Sequence, residues 1–282
     1  MTKRTKVLAA IGLVAALGAG VAGGLASSAS ARSRPTPVRF QTAGAPVTSV
    51  SFSFSVSVSG LTKHGGAITV TGSGQADFAN DAASLQVNLP AGVAGMIPGA
   101  PAGPEVVNVV LSAGTVYAEV PALSGLVGAP WVSVALPSSV TSGIPGVFST
   151  IASALGNAND ILTFASAHHG RSGSLGASTV DGSAATGSRV AARLPGGSRL
   201  SAAVWVDGSG HLVRVTGGVT HGGGPHGAGI TGSVDLTGYG APVTVTVPPS
   251  SQVKAIPYSL VAQFLGSVLK GAHLPLRLPL AA

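Results

Sequence analysis

Seven histidines, eight acidic residues and no cysteine are what this 282-residue sequence offers for acid–base, nucleophilic or metal chemistry. His221-Gly222-Gly223-Gly224 has the form of an oxyanion loop. That chemistry also needs a serine on a G-x-S-x-G elbow, and none is present. Gly222 to Gly227 matches G-x-G-x-x-G as well, but a dinucleotide site needs a strand, a turn and a helix around the glycines. Here strand-like runs flank the stretch and Pro225 interrupts it, so a hairpin loop is expected. For metal, the nearest histidine pairs are His221 with His226 and His168 with His169. Adjacent residues rarely ligate together, and no carboxylate falls at ligand spacing, so no metal or other cofactor is expected. The acids form no close pair for general acid–base work, so no enzymatic activity is expected either. Trp131 and Trp205 read as structural residues at a sheet margin or in a core.

The elements that would position any site are strands. In Ser49–Ser59 every even position is apolar and every odd one serine, so Phe52, Phe54, Val56 and Val58 share one face and the serines the other. The same period of two recurs at Ile68–Phe78, Leu85–Leu89, Val116–Val120, Val132–Leu136, Leu200–Val206, Ile230–Leu236 and Val243–Val247. Less regular runs lie near Val106–Leu111, Thr179–Leu194 and Leu212–Val219, for about ten or eleven strands in all. Alternation with one apolar face implies antiparallel pairing, and Asp207-Gly208-Ser209-Gly210 is a hairpin turn between two such runs. Helical spacing appears in the middle of the chain, after a cap at Asn159 or Asp160 and over Val147–Leu155. The expected fold is therefore α+β and mainly antiparallel β: a curved sheet with short helices over its concave face. The apolar face of Val50–Val58 would line an interior that is part core and part pocket.

Composition sets the surroundings. The chain is 45% hydrophobic but only 8% charged, and it carries 42 glycines and 19 prolines. Residues 1–31 read as a signal peptide: Lys3, Arg4 and Lys6, then an uncharged run from Val7 to Leu25, then Ala29-Ser30-Ala31. An uncleaved membrane anchor is the alternative, and either way the rest of the chain is exported. Residues 32–48 form a flexible leader and 49–253 the domain. In residues 254–282, Leu260, Val261, Phe264, Leu265, Val268 and Leu269 make an amphipathic stripe, ended by Pro275 and Pro279. The arginines at 171, 189, 193, 199 and 214 are singly spaced and not interleaved with aromatics, which disfavours a nucleic-acid partner. Peripheral contact with a membrane or an anionic envelope is compatible with the basic charge. Nothing in the sequence specifies an oligomeric state.

Five segments follow one another along the chain: GSGQADFANDAASLQVNLP (72–90), GTVYAEVP (114–121), PWVSVAL (130–136), AAVWVDGSGHLVRV (202–215) and VDLTGYGAPVTVTVPPSSQV (234–253). In this order they resemble the LppX/LprG family of actinobacterial envelope lipoproteins, itself similar in fold to the LolA/LolB carriers. The resemblance implies a curved half-barrel with helices in its mouth, enclosing a hydrophobic cavity for acyl chains of lipids or glycolipids. Mapped onto this sequence, the implied lining is Phe52, Phe54 and Val56, then Ile68 and Val70, Leu85 and Val87, Val132 and Val134, Leu155 and Leu162, and Val204 and Val206. Many members carry a lipobox cysteine, which this chain lacks. Two functions stay open at this point: a secreted binder of lipid or lipoglycan, and a non-catalytic structural or protein-interaction module of the envelope with a filled core.

Overall fold

The computed structural model describes Phe40 and residues 46–59, 67–91, 103–159, 171–193, 198–221 and 228–261. In chain order the strands are β1 (Ser49–Ser59), β2 (Ile68–Asp77), β3 (Ala82–Leu89), β4 (Glu105–Ser112), β5 (Thr115–Glu119), β6 (Trp131–Ala135), β7 (Arg171–Val180), β8 (Ser183–Arg193), β9 (Arg199–Asp207), β10 (Leu212–His221), β11 (Ala228–Thr237) and β12 (Val253–Ala255). The helices are α1 (Pro121–Val127), α2 (Ser138–Thr141) and α3 (Ile144–Gly156), with a 3-10 turn at Ser250–Gln252. The strands hydrogen-bond in the order β12-β6-β5-β4-β3-β2-β1-β11-β10-β9-β8-β7. The fold is α+β and mainly antiparallel β, as the alternation predicts; the short β12 runs parallel to β6.

Twelve strands are present among the described residues, against the ten or eleven expected: one expected run divides into two, another joins no ladder, and the short β12 is additional. Thr179–Leu194 is not one strand, because Asp181 and Gly182 both take positive φ, 47° and 83°, and close a two-residue hairpin between β7 and β8. Val243–Val247 joins no ladder. Pro242, Pro248 and Pro249 flank it, and proline lacks the N–H that a ladder requires. The Gln75 side chain donates to the Thr244 carbonyl (2.7 Å), holding the segment in place.

The described residues form two compact bodies, Gly74–Phe148 with 243–261, and 40–73 with Ser149–Pro242. In the first, Val87, Leu89, Val107, Val110 and Val134 are buried, and Phe78 meets Phe148 edge to face with ring centres 5.8 Å apart. In the second, Val190 and Val204 are buried almost completely. Each such side chain contributes about 1.5–3 kcal/mol. Leu155 near the end of α3, Ala158 after it and Phe40 are also buried in this body. The Asn159 carboxamide accepts from the Phe40 N–H (2.8 Å) and donates to the Phe40 carbonyl (2.9 Å).

Among the described residues no helix is long and apolar enough to cross a membrane. The N-terminal 31 residues lie outside the described part, as does the stretch after Asn159 expected to be helical. Of the C-terminal stripe, only Leu260 and Val261 are described, in a helical turn that begins at Tyr258.

Candidate functional site

Residues directly opposite each other in a ladder share a face, so the register shows which side chains come together. In the second body one row runs Phe54, Val234, Val215, Val204 and Ser188 across β1, β11, β10, β9 and β8. The next runs Val56, Gly232, Gly217, Ala202 and Val190, and the next Val58, Ile230, Val219 and Leu200. Phe52 pairs with Leu236, and Val206 with Leu212. The Ser57 hydroxyl hydrogen-bonds the Thr69 hydroxyl (2.7 Å) on the other face, which puts Ile68 and Val70 on the face of the phenylalanines. Seven of the expected lining residues, Phe52, Phe54, Val56, Ile68, Val70, Val204 and Val206, therefore share one apolar face of this body. Burial varies along this face: Val56, Val70, Val204 and Val206 are buried, whereas Phe52, Phe54, Val58, Val219, Ile230 and Val234 are half-buried.

Four more expected residues share a face of the first body. Leu85, Val109, Ala118 and Val132 form one row across β3, β4, β5 and β6. Val87 pairs with Val107, and Leu111, Val116 and Val134 form a parallel row. At the end of this face Glu105 stands opposite Leu89 and is buried. The sequence reading did not single it out, because a lone carboxylate at a strand start carries no spacing signal. The opposite face of the same strands is mixed, with Val110, Tyr117 and Trp131 beside a polar row in which Gln86 donates to Asn108 (3.3 Å) and Asn108 to Glu119 (2.7 Å). Leu155 is buried in the second body, and Leu162 lies outside the described residues.

At one end of the second body's polar face opposite charges are paired. The Arg214 guanidinium donates to Asp235, directly across the ladder, and reaches Asp181 in the β7–β8 turn at 3.2 Å. The hydrogen bond to Asp235 raises the Arg214 pKa above its ordinary value. Nearby the Tyr239 hydroxyl donates to the Leu212 carbonyl, and His211 stacks on the Tyr239 ring with centres 4.5 Å apart. Burial, and then the Asp207 charge, push the Tyr239 phenol upward. Asp207 caps its own turn, accepting from the N–H groups of Ser209 (2.8 Å) and His211 (2.9 Å). Both tryptophans sit on strands; Trp205 covers Gly187 and packs on Val180, Ala185 and Val213.

Among the described residues no three His, Cys, Asp or Glu side chains gather as a metal site. His168, His169 and His226 lie outside the described residues, and His221 closes β10.

No family model matches the chain, and no curated protein matches it. Solved structures similar to it include the lipoprotein LppX of Mycobacterium tuberculosis, at 16% identity over 71% of this chain and 90% of that one, with a TM-score of 0.40. A domain from Vibrio parahaemolyticus described as an outer membrane lipoprotein-sorting protein matches at 9% identity, over 70% of this chain and 87% of that one, with a TM-score of 0.24.

Proposed function

We propose that the chain is an exported, non-enzymatic protein of the cell envelope that holds the acyl chains of a lipid or lipoglycan on its apolar sheet faces. The observation that carries this reading is the partial burial of Phe52, Phe54, Val58, Ile230 and Val234 on the same sheet face as the fully buried Val190 and Val204. An interior filled by the chain's own side chains buries such residues fully. Those left half-covered are available to an acyl chain, whose burial contributes about 0.8 kcal/mol per CH2. The ordered segments that resemble the LppX/LprG family support the same ligand class.

Organic extraction of protein purified from its native host, followed by mass spectrometry, tests the proposal. Acyl-bearing lipid in amounts comparable to the protein is the expected result. Lipid-free protein should also melt higher when a long-chain fatty acid is added, by mass action. An empty extract and an unmoved melting temperature would instead support a structural module with a filled core.

A further inference from the structure

The arginines that are scattered along the sequence are gathered by the ladder. Arg199 on β9, Arg189 on β8 and Arg171 on β7 are all exposed and stand on the face opposite the phenylalanines. Arg171 is opposite Ala191, so Arg189 is its diagonal neighbour, at about 7–8 Å. The backbone position of Arg193 lies directly across from Arg199 and diagonal to Arg171.

The residues that share these rows are small or carry hydroxyls. They are Ser201 and Ala203 on β9, Thr216, Gly218 and Thr220 on β10, Thr231 and Ser233 on β11, and Ser55 and Ser57 of the alternating β1. Among the described residues none of the three arginines lies within ion-pair distance of a carboxylate. Asp235, Asp181 and Asp207 sit at the other end of the same body, around Arg214 and His211. One face therefore has a neutralised end and an uncompensated cationic end.

We propose that this cationic end is a docking surface for the anionic head groups of a phospholipid membrane. Like charges gathered on one sheet face are unfavourable by themselves, and a layer of phosphates offsets them. The small side chains between the arginines leave a low floor from which the guanidiniums project, and the hydroxyls of Ser201, Thr216 and Ser233 add hydrogen-bond donors for phosphate oxygens. Among the described residues the aromatic side chain on this face of β9 is Trp205, whose ring covers Gly187 and packs on Val180, Ala185 and Val213, so no row of aromatics runs between the arginines as the stacking platform of a single-stranded nucleic-acid site. The surface is on the other face from the proposed acyl-chain site, and the inference does not depend on lipid being held there.

Co-sedimentation of the full chain with vesicles tests it, comparing phosphatidylcholine alone with phosphatidylcholine containing phosphatidylglycerol. Any binding through apolar segments appears on both vesicles, so the gain on the anionic ones is the readout. Each arginine near an anionic surface is expected to contribute about fivefold, and the set about a hundredfold. R171Q/R189Q/R199Q should remove that gain, R171K/R189K/R199K should keep most of it, and high salt should abolish it in the wild type. A Lys254→Gln control in the other body should change little, and the exposed triple variant should melt like the wild type. Equal gains for the glutamine variant and the wild type, or no wild-type gain at low salt, would overturn the proposal. So would heparin or polyphosphate competing at charge-equivalent concentration more tightly than the vesicles, which would assign the face to a soluble polyanion. Acyl-lipid content measured by mass spectrometry in the glutamine variant should stay at the wild-type level, which separates this surface from the acyl-chain site.

Discussion

Gly217 and Gly232 stand directly opposite each other across β10 and β11, so the apolar face of the second body has a row without side chains between Val56 and Ala202. The closeness of the chains there requires it: a Cβ on Gly217 would lie 2.7 Å from the Ser201 carbonyl oxygen, and one on Gly232 2.8 Å from that of Ser55. Replacing Gly217 by Val should therefore spread the ladder and lower stability by about 1–3 kcal/mol, measured by chemical denaturation. Val219→Ala, two positions along the same face, removes only half-buried methyl groups and should cost less.

Trp205 reports on a similarly tight place. A Cβ at Gly187 would stand 2.4 Å from the indole Cζ3, so Gly187→Ala must displace the ring. The expected outcome is a red-shifted tryptophan emission in a Trp131→Phe background, with a lower melting temperature. An unshifted spectrum would show that the ring does not cover Gly187 in solution.

The Asn159 carboxamide joins Phe40 to the second body through two hydrogen bonds to backbone groups. Asn159→Ala leaves both backbone groups without this partner and should cost about 1–3 kcal/mol locally. Limited proteolysis reads it: trypsin should cut at Arg39 faster in the variant, while Asn159→Asp, which keeps the acceptor and loses the donor, should fall between the two.

Tyr239 predicts an alkaline limit to stability. Its phenol is pushed above the ordinary 10.0 first by burial and then by the Asp207 charge. The unfolded chain ionises first, so the stability tied to this group is complete below about pH 10 and is lost as pH rises through the folded-state value. Melting temperature should fall above that point in the wild type. The fall should be shallower in Tyr239→Phe, whose neutral-pH stability is lower by about 1 kcal/mol for the lost bond to Leu212. Tyrosinate absorbance should show one phenol titrating late, absent from the variant.

Asp235→Asn should destabilise more than Asp181→Asn. Both carboxylates meet Arg214, but Asp235 is 26% exposed and makes the principal hydrogen bond, whereas Asp181 is 47% exposed. About 1 kcal/mol is expected for the first and a few tenths for the second, and high salt should narrow the difference.

By itself the sequence determined the strands, their two faces and the antiparallel class, because alternation is a local property: successive side chains of an extended chain leave on opposite sides. Ser49–Ser59 is legible in that way without reference to any other segment. The same local reading missed the division of Thr179–Leu194, since the Asp181-Gly182 turn lies inside an otherwise strand-like run. It also placed Val243–Val247 in a ladder that the flanking prolines exclude. Which strands are neighbours is a different kind of fact. β1 pairs with β11, so Phe54 meets Val234 some 180 residues later, and nothing in either segment specifies the other beyond a matching pattern. Only that pairing brought seven of the proposed lining residues onto one face and left Phe52 and Phe54 half-covered. Only the register of β7, β8 and β9 turned singly spaced arginines into neighbours, because charges on different strands interact through space, and their separation along the chain carries no information about that distance.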